Sequence, residues 1–495
     1  MTAPGSPLPR RGDRAPRLRW ARPAPPPEGI DFDAIRAEFD VPGDFAPAVL
    51  AEAQAAAPAD DPDRADFTAL PLATVDPAGS RDLDQAMHLA RDGSGFVVHY
   101  AIADVAAFVR PGGSLDRAAH ERVETYYLPD RRSPLHPPQL SEGAASLLPG
   151  QRTPAVVWQI ALDETGAISD VDVRRGLIES VRQWDYPELQ AVLDGAASAA
   201  GAAGGLALLG EVGRLRQEQA RRRGAIELDL PEQIVVGGGA QPWSLQLRRD
   251  LPCEVWNAHI SLLTGMAAAS LMLGAGVGIL RTLPPADERT LAQLRRFAAT
   301  LGIPWPAAQP PGEMLAGLDR ADPVHVALIE EAATLLRGAG YTVLESALPA
   351  DDPRVQHAGV AAPYAHVTAP LRRLVDRYGS EVCLAIAAGR PVPAWTLDAL
   401  PELPGEMAAG DRRARAVERA VIDALEAWLL RDRVGQTFAA TVLESAPDGR
   451  SAEIEVADPP VRARAEGAGL EPGATINARL TKADPATREV RFAAS

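Results

Sequence analysis

Between about residues 67 and 185 the apolar and polar positions alternate with a period of two, as half-buried strands require. Gly95-Phe96-Val97-Val98-His99-Tyr100-Ala101-Ile102-Ala103-Asp104-Val105 is the clearest run. Ala155-Val156-Val157-Trp158-Gln159-Ile160-Ala161-Leu162 is a second. Over 186–223 the period changes: Ala and Leu recur with Arg and Gln at helical spacing, which predicts helices. Ala225-Ile226-Glu227-Leu228-Asp229-Leu230 returns to alternation and predicts a strand. Helical patterns then dominate, over 250–273, 287–302, 322–337, 370–389 and 411–431.

The pattern turns once more past about 434. Thr437–Val442, Ala452–Val456, Val461–Arg464, Ala474–Leu480 and Glu489–Phe492 are short strand-like runs separated by Gly, Pro and Asp. Such a series suits an OB-type barrel, with an SH3-like barrel as the structural alternative. Near the front, Asp31–Phe39 predicts a short helix capped by Asp31. Pro42-Gly43-Asp44 breaks it, and Phe45–Ala57 predicts a second with Pro47 in its first turn. This pair suits a helical hairpin, a small helix-turn-helix unit, or simple packing onto the next domain. The expectation is an α+β chain in four parts: a basic arm over 1–28, a helical segment over 29–65, a main domain over 66–432 and a barrel over 433–495.

Composition narrows the class. The apolar fraction of 46% and charged fraction of 23% are those of an ordinary globular protein. No eighteen-residue apolar run is present, so no membrane span is expected, and the Arg- and Pro-rich start does not resemble a secretory signal. Cys253 and Cys383 stand far apart without a Cys/His pattern. That argues against a disulfide framework or structural zinc site and fits a reducing cytoplasm. A cytoplasmic monomer is expected. The net charge of −16 argues against coating nucleic acid by bulk charge, while leaving room for a local basic channel beside acidic ligands. Lys482 is the only lysine. With the heavy Ala and Pro usage, this marks a coding bias, so the abundance of Arg is not by itself phosphate-binding design.

The densest candidate chemistry lies in Thr74-Val75-Asp76-Pro77-Ala78-Gly79-Ser80-Arg81-Asp82-Leu83-Asp84-Gln85. Hard divalent cations take oxygen ligands, and an Asp cluster supplies them. Asp82 and Asp84 point the same way on an extended backbone, and Asp76 can fold back across the Pro77–Ser80 turn. By spacing alone a solvated acidic turn, with Asp as turn-former and helix cap, is the better account of the run.

Set beside three later stretches, the run resembles the catalytic signature of the RNase II (RNB) family of exoribonucleases. Ala101-Ile102-Ala103-Asp104-Val105 resembles the strand that follows it. Tyr127-Leu128-Pro129 with Ser133-Pro134-Leu135-His136-Pro137 and Leu140-Ser141 resembles the Tyr-Leu-Pro segment and its loop. Tyr364-Ala365-His366-Val367-Thr368-Ala369-Pro370-Leu371-Arg372-Arg373-Leu374-Val375-Asp376 resembles the late family motif. The resemblance covers about 65 to 490. It implies an RNB catalytic domain around an RNA channel, with a C-terminal S1-type OB barrel. It also implies a processive, hydrolytic 3′→5′ exoribonuclease that takes single-stranded RNA and releases nucleoside 5′-monophosphates with Mg²⁺ or Mn²⁺.

On the same resemblance Asp76, Asp82 and Asp84 are metal ligands, with Gln85 at the fourth ligand position. Arg372 matches the arginine that contacts the terminal phosphates, and Arg373 follows it as an RNA contact. Tyr127 matches the tyrosine that packs on the 3′-terminal base, a contact open to any base. Glu254 and Glu418 align with acidic residues of the channel; an i,i+4 surface pair is the plainer account of Glu418. His366 either orients the Arg372 loop or is a buried, satisfied histidine. Leu228 falls where the family often has an aromatic clamp.

Two departures stand out. The family has an acid where this chain has Gln85, and an amide offers an oxygen to a cation but no charge and no basicity. A catalytically weak or silent RNA-binding protein on the same fold is therefore the alternative, and a phosphodiesterase for small nucleotides is a third reading. The family also commonly carries two cold-shock domains before the catalytic domain. Here the 29–65 segment is expected to replace them, or to leave an entrance open enough for structured RNA.

Overall fold

The computed structural model describes residues 25–195, 204–238, 241–446 and 449–494. Most of the expected basic arm, 1–24, lies outside the described residues. The alternating runs pair into one seven-stranded sheet of β1 (Ala65–Asp66), β2 (Ala73–Asp76), β3 (Gln85–Asp92), β4 (Gly95–Ala103), β5 (Arg152–Leu162), β6 (Ile168–Glu179) and β7 (Arg182–Asp185). Its order is β1-β6-β5-β4-β3-β2-β7, antiparallel except at β1–β6 and β2–β7.

The period of two sorts the central strands between two cores. Phe96, Val98, Tyr100 and Ile102 of β4, with Val156, Trp158 and Ile160 of β5, enter the larger one. Ala101, Ala103, Ala155 and Val157 enter the other.

At the front, α1 (Phe32–Glu38) is capped by Asp31, which accepts the N–H groups of Asp33 and Ala34 at 2.9 and 3.0 Å. Phe32 and Ile35 join Tyr126, Leu128, Val417 and Val421 in a third core. In contrast, α2 (Pro47–Ala55) sends Val49 and Ala53 into the second core with Leu115 and Ala118 of α3 (Ser114–Arg122). The two front helices thus serve separate cores of the main domain and do not form the shared core of a helix-turn-helix unit.

Helices α4 (Tyr186–Leu193) and α5 (Leu209–Arg223) follow the sheet. The strand expected over Ala225–Leu230 is absent. Ile226, Leu228 and Leu230 pack instead against a helical cluster around Leu294, Leu315 and Leu328, so their alternation is satisfied by helices and not by a ladder. The strands come next, as the hairpin β8 (Glu232–Gly238) and β9 (Gln241–Arg248).

The long α6 (Pro252–Ala275) passes through the main core, with Ile260, Leu263, Ala267 and Met272 fully buried. By length and composition it is apolar enough to cross a membrane; as the core helix of this domain it is apolar for packing. Next come β10 (Gly278–Thr282), α7 (Glu288–Thr300), α8 (Pro311–Ala316), α9 (Pro323–Glu331) and β11 (Gly340–Leu344), which pairs back on β10. Short β12 (Gln356–His357) and β13 (Ala362–Pro363) lead to α10 (Leu374–Ala387), α11 (Ala394–Ala399) and α12 (Leu403–Leu430).

The last strands, β14 (Thr437–Ser445), β15 (Ser451–Ala457), β16 (Pro460–Glu466), β17 (Thr475–Asp484) and β18 (Glu489–Ala494), close into a barrel of order β14-β15-β16-β18-β17. Phe438 and Phe492 meet edge-to-face in its core at 5.8 Å, and Leu430 of α12 enters the same core. This is the OB-type barrel expected from the turn spacing. Arg462 of β16 reaches Glu330 at 2.7 Å, which seats the barrel on the main domain.

Candidate active site

β2 ends at Asp76, and the chain turns through Pro77–Ser80 with Gly79 at φ 84°. Leu83, fully buried, pins the return: its N–H donates to Ser146 Oγ at 3.0 Å, and that hydroxyl donates to the Arg81 carbonyl at 2.6 Å. Asp82 and Asp84 therefore flank a fixed leucine just before β3.

A second loop, Thr368–Arg373, is built on Asp376. Its carboxylate, fully buried on α10, accepts Ala369 N–H at 2.7 Å and two guanidinium contacts from Arg373 at 2.9 and 2.7 Å. The two loops meet at Asp84. Leu371 N–H donates to Asp84 Oδ1 at 2.8 Å and Arg372 Nε to Oδ2 at 2.7 Å. The Arg372 carbonyl accepts Thr125 N–H at 3.0 Å, which draws in the segment carrying Tyr127. Gln85 Nε2 donates to the Thr368 carbonyl, and Thr368 Oγ1 lies 2.9 Å from Ser261 Oγ of α6.

Asp82 is held by Arg132 Nη1 at 2.6 Å, and Arg132 also pairs with Glu142. Arg132 is a site residue that the sequence motifs do not mark; its one signal is its place three residues after Tyr127-Leu128-Pro129, in the same loop.

Burial pushes the Asp76 carboxyl up to about 7, against the pull of Arg372 and with repulsion from Asp84 and Asp82. Burial likewise pushes Asp84 up to about 6, with Arg372 opposing. Tyr127 is raised to about 12, chiefly by burial, and keeps its proton at neutral pH. Burial also works against the Arg372 charge, but the adjacent Asp84 carboxylate outweighs it and holds the guanidinium well above its ordinary value.

The other expected residues lie elsewhere around this centre. His366 Nδ1 lies 2.7 Å from the Tyr341 hydroxyl, and burial holds its ring neutral, which is the satisfied-histidine arrangement. Glu254 sits in the first turn of α6, accepts Leu251 N–H at 3.3 Å and pairs with Arg248. That is two helical turns, ~10 Å, before Ser261, so it anchors the helix start. Glu418 of α12 borders Glu124, whose carboxyl burial pushes up to about 8, with Asp411 repelling and Arg373 opposing.

Among the described residues no three His, Cys, Asp or Glu side chains converge as a ready metal cluster. Arg132 and Arg372 neutralise Asp82 and Asp84 instead. The donors nonetheless suit a hard cation: three carboxylates and one amide oxygen, with Oδ2 of one of them, Asp76, buried without a partner.

Residues 64–382 match the model of the RNB domain, and 436–495 match that of the RNase II-type exonuclease C-terminal S1 domain. Ribonuclease R 1 of Lactococcus lactis subsp. lactis is 26% identical over 457 residues, 86% of this chain and 54% of that protein. Ribonuclease R of Vibrio cholerae is 28% identical over 411 residues, 77% of this chain and 48% of that protein. The chain thus spans about half the length of these curated relatives. The structure of Mycoplasma genitalium RNase R in its apo form superposes with a TM-score of 0.84 at 20% identity, covering 94% of this chain and 77% of that one. The same enzyme in complex with double-stranded RNA gives 0.81 at 21%, covering 94% and 82%. Yeast Ssd1, named a pseudonuclease, gives 0.66 at 18%, covering 83% and 52%. At these identities the structural likeness is one of fold.

Proposed function

The chain belongs to the RNB family, and on that premise we propose that it is a divalent-metal-dependent 3′→5′ exoribonuclease that hydrolyses single-stranded RNA processively to nucleoside 5′-monophosphates. The observation that supports this most is the meeting of Asp84 and Arg372, which sets a fixed cation on one carboxylate of the turn whose Asp76 and Asp82 repel each other's charge nearby. Asp76, Asp82 and Asp84, with the Gln85 amide oxygen, would hold Mg²⁺ or Mn²⁺, which when bound supplies activation of water and neutralisation of the scissile phosphate.

The chain's own groups account for the rest. Arg372 uses Nε on Asp84, which aims its guanidinium and leaves the terminal Nη groups for a phosphate. Arg132 keeps Asp82 in place. The Tyr127 ring, half-buried beside Arg372 and the carboxylates, is a stacking surface indifferent to base identity.

A second reading has one observation of its own: Gln85 is tied by its amide to the Thr368 carbonyl, where an acid would find no donor. On that reading the protein binds RNA and cleaves it weakly or not at all. A time course on 5′-labelled polyadenylate with Mg²⁺ or Mn²⁺ separates the two. Laddering to short oligomers supports the nuclease; retention without cleavage supports the silent binder.

A further inference from the structure

A cleft of about 600 Å³ opens where α12, the turn between β17 and β18 and the end of α1 come together, away from the Asp cluster. Five arginines line it. Arg337 comes from the loop before β11, Arg412, Arg415 and Arg419 from α12, and Arg488 from the barrel turn; Asp423 is the single carboxylate in the lining. Glu38 pairs with Arg488 and Asp411 lies 4.0 Å from Arg415, so with Asp423 three carboxylates stand against five arginines, and the positive excess, in a chain of net charge −16, selects an anion.

The arrangement also selects the kind of anion. Positions 412, 415 and 419 are spaced i, i+3, i+7 and share one helix face over ~10 Å, longer than a single phosphate group. Two of the cations are braced by neighbours. Arg415 Nε donates to the Asp411 carbonyl at 3.1 Å, and Arg488 Nη2 to both Glu38 oxygens at 2.7 Å. Arg488 Nη1 is buried and has no partner. Phe39 lies in the same lining, with the Arg488 guanidinium 5.9 Å from its ring centre. A row of cations beside an aromatic face is the combination that holds single strands by backbone and base stacking. The adjacent face of α12 carries Asp411, paired with Arg281 at 3.0 Å, and Glu418 beside Glu124, whose backbone pairs with that of Arg373 in an isolated β-bridge. The helix that forms the cleft therefore also borders the Thr368–Arg373 loop.

We propose that this cleft binds the sugar–phosphate backbone of single-stranded RNA upstream of the reacting 3′ end, with the N-terminal helix supplying Phe39 and the brace on Arg488. The inference rests on the ribonuclease reading for its substrate, but not on cleavage.

Its test is binding of a fluorescein-labelled oligoadenylate of about twenty nucleotides to the full chain in EDTA, followed by anisotropy across a salt series. Arg337→Glu combined with Arg412→Glu should weaken binding at least ~10-fold and flatten the slope of log K against log salt by about 1.4, at ~0.7 per lost phosphate contact on a single strand. Arg412→Gln, a milder change at an exposed position, should flatten it by about half as much. It decides the matter if a thermal melt shows the double variant unfolded.

Unchanged affinity and slope in the folded variants would overturn the proposal, and so would a wild-type chain that does not bind the oligomer. Displacement of the oligomer by millimolar inorganic phosphate at equal charge would also overturn it, by making the cleft a site for the free ion. The predicted losses in a protein that shows no cleavage with Mg²⁺ or Mn²⁺ would sustain the cleft and defeat only the catalytic reading.

Discussion

Asp84 and Arg372 stand 288 positions apart in the chain and meet at 2.7 Å, while the same carboxylate takes the Leu371 N–H at 2.8 Å. One fully buried acid thus fixes both the main chain and the side chain of the loop that delivers the cation. Asp84→Asn keeps the size but removes the charge that orients Arg372. It should lower Mg²⁺-dependent turnover of labelled oligoadenylate by at least ~100-fold and leave RNA binding within a few-fold. Robust turnover in that variant would sink the assignment of the site.

Gln85 is the residue on which the two proposed readings, nuclease and silent binder, divide. Gln85→Asp replaces an amide that donates to the Thr368 carbonyl with a fourth carboxylate beside Asp84. The added ligand charge should leave or raise turnover at limiting Mg²⁺, and calorimetric titration with Mn²⁺ should show tighter binding. A variant that loses both metal affinity and activity would mean that the Gln85–Thr368 bond, and not the missing charge, is what the site requires.

Tyr127 has its hydroxyl protonated throughout the neutral range, so its proposed contribution lies in the ring. Tyr127→Phe should act as wild type. Tyr127→Ala should raise KM for short oligomers by about 5- to 100-fold, the equivalent of one lost stack, and lengthen the final product seen on a gel.

Glu124 yields a stability test independent of any metal. Its carboxyl is raised in the folded chain to about 8, first by burial and then by Asp411, while an unfolded glutamate titrates near its ordinary value. A raised folded pKa means that the folded state binds the extra proton. The stability from this group is therefore fully present below the ordinary glutamate range and lost as pH rises through 8. Glu124→Gln mimics the protonated form. Its stability should match wild type near pH 4 and exceed it near pH 8.5 by an amount on the order of 1 kcal/mol or more, read as a higher melting temperature at the upper pH alone. Equal melting curves at both pH values would show that Glu124 titrates normally.

Much of the architecture was legible in the periodicity. The two runs on β4 and β5 are strands because alternation divides their side chains between two cores, and the five barrel strands are set off by Gly, Pro and Asp turns. Ala225–Leu230 shows where that reasoning ends. An alternating segment needs one buried face, but the pattern does not say whether a sheet or a helical cluster covers it. Arg132 escaped notice for a related reason: a lone arginine after a loop motif carries no period, and only the folded loop shows that it reaches Asp82.

The sequence by itself determined most of the strands and helices, the barrel, the four motifs in their order and the hard-oxygen character of the Asp76–Gln85 run, because each is written in local spacing and residue chemistry. Only the tertiary structure decided that Asp84 is paired and not a solvated turn residue, that Gln85 faces Thr368, that Glu254 braces a helix start, and that five arginines from three separate segments share one cleft. Those outcomes depend on how α6 and α10 pack against the sheet and how α12 packs against α1 and the barrel. Packing couples residues hundreds of positions apart by shape and burial, for which no spacing along the chain is a record.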